Sequence, residues 1–163
     1  MPILANDAAL VDYAPLFDEV GGRVEAAKGF LRERGNRTIV LMGHSLGASM
    51  GATYLAADSQ HGLAGLVAVG MSVIELDDRM NSVLAVEKIS IPVLDIYGSR
   101  DLDTVLNSAK ARAAAARKSG NADYRQTEVE GADHFFVGVE DDLTRRVYGW
   151  LKTHFDNKPG EQP

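Results

Sequence analysis

Four short runs that suit β-strands, separated by longer segments with helical spacing, constrain the fold of this chain more than any other feature. The runs cover residues 38–42, 63–71, 91–97 and 124–129. The first is continuous in apolar residues, as in a strand buried on both faces, whereas the fourth alternates and indicates a strand near a sheet edge. Strands that alternate with helices predict an α/β fold, with a mostly parallel sheet and helices on both faces.

The predicted helices cover residues 13–34, 45–57, 104–118 and 140–155. The first has apolar residues at helical spacing and stops at Gly35, and the second is rich in glycine and alanine, which permits close approach to a sheet. We expect one domain over residues 1–155, followed by a flexible polar tail over residues 156–163.

The composition disfavours several classes of partner. The formal net charge of −6 over 163 residues would repel nucleic acid and anionic membranes. No apolar stretch approaches the roughly 20 residues that span a bilayer. The absence of cysteine removes disulfide and thiolate chemistry. No histidine and carboxylate cluster has metal-ligand spacing, and no glycine-rich phosphate loop follows a strand, so we predict neither a metal nor a cofactor.

The segment Gly43-His44-Ser45-Leu46-Gly47 lies where the first predicted strand ends and the second helix begins. This is the G-x-S-x-G pattern in the strand–turn–helix context that gives it meaning. A turn this tight strains the serine backbone, and flanking glycines remove side chains that would collide there. The pattern predicts that Ser45 is a nucleophile and that the Leu46 N–H donates to an oxyanion. Alternatively, the serine only caps the helix.

A serine hydroxyl needs a base to activate it, and the base needs an orienting carboxylate. Both should follow the serine, acid before histidine, on loops after later strands. Asp101 follows the 91–97 run after a glycine, and His134 lies between the 124–129 run and the last helix. The sequence therefore predicts Ser45, Asp101 and His134 as a catalytic triad.

Other acidic residues and histidines have competing interpretations. Asp103 can cap the helix that starts near residue 104, Asp95 is mid-strand and suits a buried ion pair, and Asp133 suits a turn. Three acidic residues after the second strand are an alternative source of the acid: Glu75, Asp77 and Asp78. His44 is predicted to be a packing or hydrogen-bonding neighbour of the serine turn. Two histidines are predicted to lie at the surface: His61 and His154.

Three segments, GHSLGA, IYGSRD and GADHFF, follow one another over about residues 10–155. They resemble the nucleophile elbow, acid loop and histidine loop of the α/β-hydrolase family. The resemblance implies that the chain supplies strands five to eight of the family's sheet, and that it is most similar to small bacterial members without a lid. Larger relatives insert a cap where this chain has only residues 72–90, so we expect an open site.

The resemblance is incomplete on the amino-terminal side. The family opens with roughly four strands and a helix before this point, and one of those loops donates the second oxyanion N–H. The 38–42 strand would therefore present an exposed apolar edge. We expect residues 1–12, a missing N-terminal segment or a second copy in a homodimer to shield this edge. The N-terminus lacks the pattern of an export signal, which predicts a cytoplasmic address unless an upstream signal precedes it.

The predicted activity is hydrolysis of a carboxylic ester of a small molecule through an acyl-enzyme intermediate. A thioesterase or amidase could use the same triad, because fold and triad do not select the leaving group. A catalytically weak or inactive domain that acts as a binding or scaffold protein is the alternative from a different class, and the missing first half favours it.

Overall fold

The computed structural model describes residues 12–156. Its strands are β1 (Val40–His44), β2 (Gly65–Val69), β3 (Val93–Arg100) and β4 (Tyr124–Asp133). Its α-helices are α1 (Leu16–Glu33), α2 (Leu46–Ala57), α3 (Ser82–Val86), α4 (Asp103–Lys118) and α5 (Glu140–Phe155). The expectations about the first 11 residues and about a tail beyond Asp156 lie outside the described residues.

The four strands form one sheet in the order β1-β2-β3-β4, and every pairing is parallel. Helices connect successive strands, as parallel pairing requires. The sheet confirms the predicted α/β fold class. Within residues 12–156, β4 lies at an edge, as its alternating pattern predicts.

Two apolar cores lie on opposite faces of the sheet. In β2, Leu66 and Ala68 pack in the core that contains residues of α2, α3 and α4, with α1 packed against it. Val67 and Val69 point the other way, into the core formed with α5. Because side chains alternate along a strand, this strand must be apolar throughout. The prediction of helices on both faces is confirmed.

The prediction that the first strand is buried on both faces is wrong. Met42 of β1 is 54% exposed, and its neighbours Val40 and Leu41 are only partly buried. The physical reason is position: within residues 12–156, β1 pairs with β2 alone and ends the sheet on that side. The predicted apolar edge is therefore present in the described part of the chain, and what shields it stays an expectation.

A buried ion pair joins β3 to α4. Asp95 and Arg112 are fully buried, with Arg112 Nε 2.8 Å from Asp95 Oδ2. The same carboxylate oxygen accepts hydrogen bonds from the Tyr124 hydroxyl (2.5 Å) and the Gln126 side-chain amide (2.9 Å) of β4. Burial opposes the charge on Arg112, but the adjacent carboxylate outweighs it and raises the pKa of the guanidinium. This confirms the structural interpretation of Asp95.

The turn between β1 and α2 depends on a close backbone approach. A Cβ on Gly43 would lie 2.5 Å from the carbonyl oxygen of Gly47 and 2.8 Å from the amide nitrogen of Ala48. Ser45 between them has φ of 56° and ψ of −127°, which confirms the predicted backbone strain. The expectation that both flanking glycines avoid collisions is half wrong, because a Cβ on Gly47 would meet no atom of the described chain within 4 Å.

Removing one member of the buried ion pair should destabilise the fold strongly. We expect Arg112→Met to lower the free energy of unfolding by about 3–5 kcal/mol, since it leaves the Asp95 carboxylate buried without its counter-ion. Urea denaturation measures this loss, with Arg117→Met on the exposed part of α4 as control. The double variant Asp95→Asn/Arg112→Met should regain more than half of the loss, and equal destabilisation of single and double variants would contradict this account.

The two glycines of the serine turn should respond differently to alanine. Gly43→Ala should lower the free energy of unfolding by about 1–3 kcal/mol, because the methyl group collides with rigid backbone. Gly47→Ala, in the first turn of α2, should change the free energy of unfolding by no more than about 0.5 kcal/mol in either direction. Thermal melts of the two variants test the asymmetry, and equal shifts would be inconsistent with it.

Candidate active site

Ser45 stands between the carboxyl end of β1 and the first turn of α2. Its backbone N–H donates to the carbonyl oxygen of Val69 at 2.8 Å, which ties the turn to β2. Its side chain makes no capping hydrogen bond to α2. The interpretation of this serine as a helix cap is therefore wrong, and the hydroxyl is available to other partners.

The hydroxyl of Ser45 belongs to a chain of hydrogen bonds with two predicted site residues. Its Oγ lies 2.8 Å from Nε2 of His134, which follows β4, and Nδ1 of that ring lies 2.6 Å from Oδ1 of Asp101, which follows β3. Because the carboxyl ends of parallel strands meet at one edge of the sheet, residues 45, 101 and 134 converge there. The structure brings together all three predicted catalytic side chains.

The carboxylate of Asp101 is held by backbone donors as well as by the imidazole. The N–H of Leu102 donates to Oδ1 at 2.8 Å, and the N–H of Gly98 donates to Oδ2 at 3.2 Å. Burial favours the neutral acid, but the hydrogen bonds from His134 and from these two N–H groups outweigh it and lower the pKa of Asp101. The acid is thus kept ionised and oriented toward the ring.

Gly70 is a site residue that the sequence analysis missed. It follows β2 with φ of 58°, and a Cβ on it would lie 3.1 Å from both Cε1 and Nδ1 of His134 and 3.4 Å from Oδ2 of Asp101. A side chain here would crowd the imidazole and the carboxylate. The available signal was a glycine immediately after a buried strand, at the sheet edge where the other site residues lie.

His44 and Leu46 flank the serine in the motif, and the structure gives each a different environment. His44 Nε2 is 2.8 Å from the carbonyl oxygen of His134, and the two rings are 4.8 Å apart at their centroids, which confirms its packing and hydrogen-bonding interpretation. The backbone N–H of Leu46 opens α2 and has no acceptor within residues 12–156. Its part in an oxyanion hole stays a prediction.

None of the competing acids reaches the imidazole of His134. Asp133 accepts hydrogen bonds from the N–H groups of Phe135 (3.0 Å) and Val137 (3.1 Å), which confirms its role in a turn. Asp103 is the first residue of α4 and makes no capping hydrogen bond, so the capping interpretation is wrong; Leu102 occupies the cap position.

The acids after β2 belong to a surface turn instead. Asp77 caps the 3-10 helix Asp78–Met80 by accepting from the Arg79 N–H, and its other carboxylate oxygen is 2.7 Å from the Arg79 guanidinium. These contacts lower the pKa of Asp77 to about 2. Glu75 is exposed.

The prediction that two histidines lie at the surface needs correction. His61 is only 7% exposed, because its ring lies near that of Tyr54, with centroids 6.5 Å apart, and the Leu63 N–H donates to its Nδ1 at 3.0 Å. His154 is half-buried, because its ring packs on Trp150 with centroids 4.7 Å apart. Neither contacts the site at Ser45.

Within residues 12–156, no group of three or more histidine, cysteine or acidic side chains is arranged to hold a metal ion. None of the helices described in that range has the length and apolar character needed to cross a membrane.

Solved structures share this arrangement of strands and helices. A protein described as a predicted CIB-like hydrolase from Thermoplasma acidophilum is 22% identical, with a TM-score of 0.61 over 80% of this chain and 58% of that one. A monoacylglycerol lipase from Paleococcus ferrophilus is 17% identical, with a TM-score of 0.63 over 81% and 74%. The esterase domain of a Rhodothermus marinus protein is 16% identical, with a TM-score of 0.63 over 81% and 68%.

These similarities show that the chain has the α/β-hydrolase fold. It spans only 58% of the length of the Thermoplasma acidophilum chain, which is consistent with the part of the sheet that the sequence resemblance implies. No curated protein matches the chain in sequence. A family model described as "Protein of unknown function (DUF3530)" matches residues 14–153, and the chain belongs to that family.

Proposed function

We propose that this protein is a serine hydrolase that cleaves carboxylic esters, with Ser45 as nucleophile, His134 as general base and acid, and Asp101 as the orienting carboxylate. The observation that carries the proposal is the continuous chain of hydrogen bonds at 2.8 and 2.6 Å between the three side chains. The strained backbone of Ser45 supports it too, since strain of this kind concentrates at functional sites.

In the proposed reaction, Ser45 Oγ attacks the acyl carbon of the ester while Nε2 of His134 takes the hydroxyl proton. The tetrahedral intermediate carries its negative charge on the former carbonyl oxygen, where the Leu46 N–H donates a hydrogen bond. The C–O bond to the alcohol then breaks, and the imidazolium returns its proton to the leaving oxygen. Asp101 stabilises the imidazolium and holds the ring in the tautomer that presents Nε2 to the serine.

Deacylation repeats these steps with water. His134 takes a proton from the water that attacks the acyl carbon, the second tetrahedral intermediate collapses, and Ser45 Oγ leaves with that proton. The carboxylic acid is released and the free enzyme returns. An oxyanion hole commonly has more than one N–H donor, and losing one such donor costs about 100- to 1,000-fold in rate.

Two exposed apolar side chains in the segment that follows His134 support a substrate with an apolar group. Phe135 and Val137 are each 68% exposed, and the Phe135 ring centroid is 5.2 Å from that of His134. An acyl or alcohol chain that bound beside the imidazole would cover Phe135. This observation favours an ester of a small molecule with an aliphatic or aromatic part.

An activated serine should react with a fluorophosphonate, and the label should sit on Ser45. We expect Ser45→Ala to abolish both labelling and hydrolysis of p-nitrophenyl esters while circular dichroism stays unchanged, with Ser59→Ala as the exposed-serine control. Labelling without ester hydrolysis would point to a thioester or amide substrate. A folded wild-type chain that is not labelled would contradict the proposal in favour of an inactive binding domain.

Changing the orienting acid should impair activation without removing the nucleophile. We expect Asp101→Asn to slow fluorophosphonate labelling of Ser45 by about 10⁴-fold, because the amide favours the wrong imidazole tautomer. Asp103→Asn is the matched control, and its labelling rate should equal that of the wild type. If the two variants were labelled equally fast, Asp101 would not be the acid.

A further inference from the structure

A cavity of about 320 Å³ lies between α5 and the face of β4 that α5 covers, away from the site at Ser45. Leu94 of β3 and Arg125 of β4, which both line it, are register partners near the amino ends of their strands. Ser45 instead lies beyond the carboxyl end of β1. The cavity and the proposed active site are therefore at opposite ends of the sheet.

The lining of this cavity is rich in basic side chains, although the protein as a whole is acidic. Three guanidinium groups contribute to it, from Arg125, Arg145 and Arg146, and its lining contains no carboxylate. Asp142 pairs with two of them, at 3.3 Å from Arg145 and 2.7 Å from Arg146. The three guanidinium charges exceed the single carboxylate charge of Asp142 by two, although the whole chain has a formal net charge of −6.

One of the residues that line the cavity, Trp150, carries a buried donor without a partner. Trp150 is only 4% exposed and lines the cavity, and its Nε1–H is the one buried side-chain polar atom in the described part of the chain that has no hydrogen-bond partner. Leaving a buried donor unsatisfied costs free energy, so such groups are rare in native structures. A ligand acceptor within hydrogen-bond reach of this N–H would satisfy it.

The donors that line the cavity indicate which kind of ligand would accept from them. Guanidinium groups bind oxyanions through paired, charge-assisted hydrogen bonds. Thr127 also lines the cavity and has a hydroxyl that can donate, whereas the Thr153 hydroxyl already donates to the Gly149 carbonyl oxygen at 2.8 Å and His154 Nδ1 to the Trp150 carbonyl oxygen at 2.9 Å. A tetrahedral phosphate, with its many acceptor lone pairs, can use this number of donors more fully than a planar carboxylate can.

We propose that the cavity between β4 and α5 is a phosphate-binding site, in which Arg125, Arg145, Arg146 and the indole N–H of Trp150 bind a free phosphate or the phosphate group of a small phosphomonoester. The volume exceeds that of phosphate alone and leaves room for a small organic part. This site is independent of the proposed hydrolase reaction and uses none of its residues.

The protein contains a single tryptophan, so one signal reports on this site. The full chain would be titrated with inorganic phosphate, glycerol phosphate and acetate at constant ionic strength, following the indole N–H resonance and the tryptophan fluorescence. We expect a saturable change with both phosphates and little with acetate. Tighter binding of glycerol phosphate would identify an organic phosphate as the ligand, and equal binding would identify free phosphate.

Arg125→Met provides the decisive variant, because Arg125 is exposed and makes no ion pair within residues 12–156, so the fold should survive. We expect phosphate affinity to fall at least about tenfold, as for loss of a charge-assisted hydrogen bond, whereas Arg117→Met should bind as the wild type does. Fluorophosphonate labelling of Ser45 should be equal in all three proteins. No saturable response to either phosphate, or unchanged affinity in Arg125→Met, would overturn the proposal.

Discussion

The close approach of Gly43 to the backbone of Gly47 and Ala48 is the constraint on which the site depends. It lets β1 turn into α2 within one residue, so that Ser45 adopts a positive φ and projects its hydroxyl beyond the sheet. A wider turn would move the hydroxyl away from the imidazole of His134, which lies 2.8 Å from it. The Ser45 N–H bond to Val69 then fixes the turn against the neighbouring strand.

The side chains of Asp101 and His134 are held in place by different contacts. Asp101 is held by two backbone N–H groups, so its orientation does not depend on the histidine alone. The imidazole has room because Gly70 carries no side chain, and His44 binds the backbone carbonyl of His134. Below this edge, the buried Asp95 and Arg112 pair connects β3 to α4, while the Asp95 carboxylate also binds β4. Asp101 and His134 of the proposed triad therefore follow strands that the Asp95 carboxylate joins deeper in the fold.

The two ends of the sheet differ in their electrostatic character. The carboxyl end holds an ionised acid whose charge is balanced locally by N–H donors and the imidazole. The amino end, between β4 and α5, holds an excess of guanidinium groups and an unsatisfied indole donor. The first suits the proposed nucleophile and the second the proposed anionic ligand, and the two proposed sites lie at opposite ends of one small sheet.

The sequence by itself determined the order of the four strands and of four of the five described α-helices, the serine turn and the residue types of the site, because these depend on local periodicity and on glycine spacing; it did not predict α3 (Ser82–Val86). It also predicted Asp95 as a buried ion-pair residue, since a carboxylate inside an apolar strand has few other uses. Tertiary structure alone decided that β1 is half exposed, that His61 is buried, that Gly70 borders the imidazole and that three arginines from two elements line one cavity with Trp150. Each of these depends on contacts between residues far apart in the chain, and local patterns do not encode which distant atoms share a space.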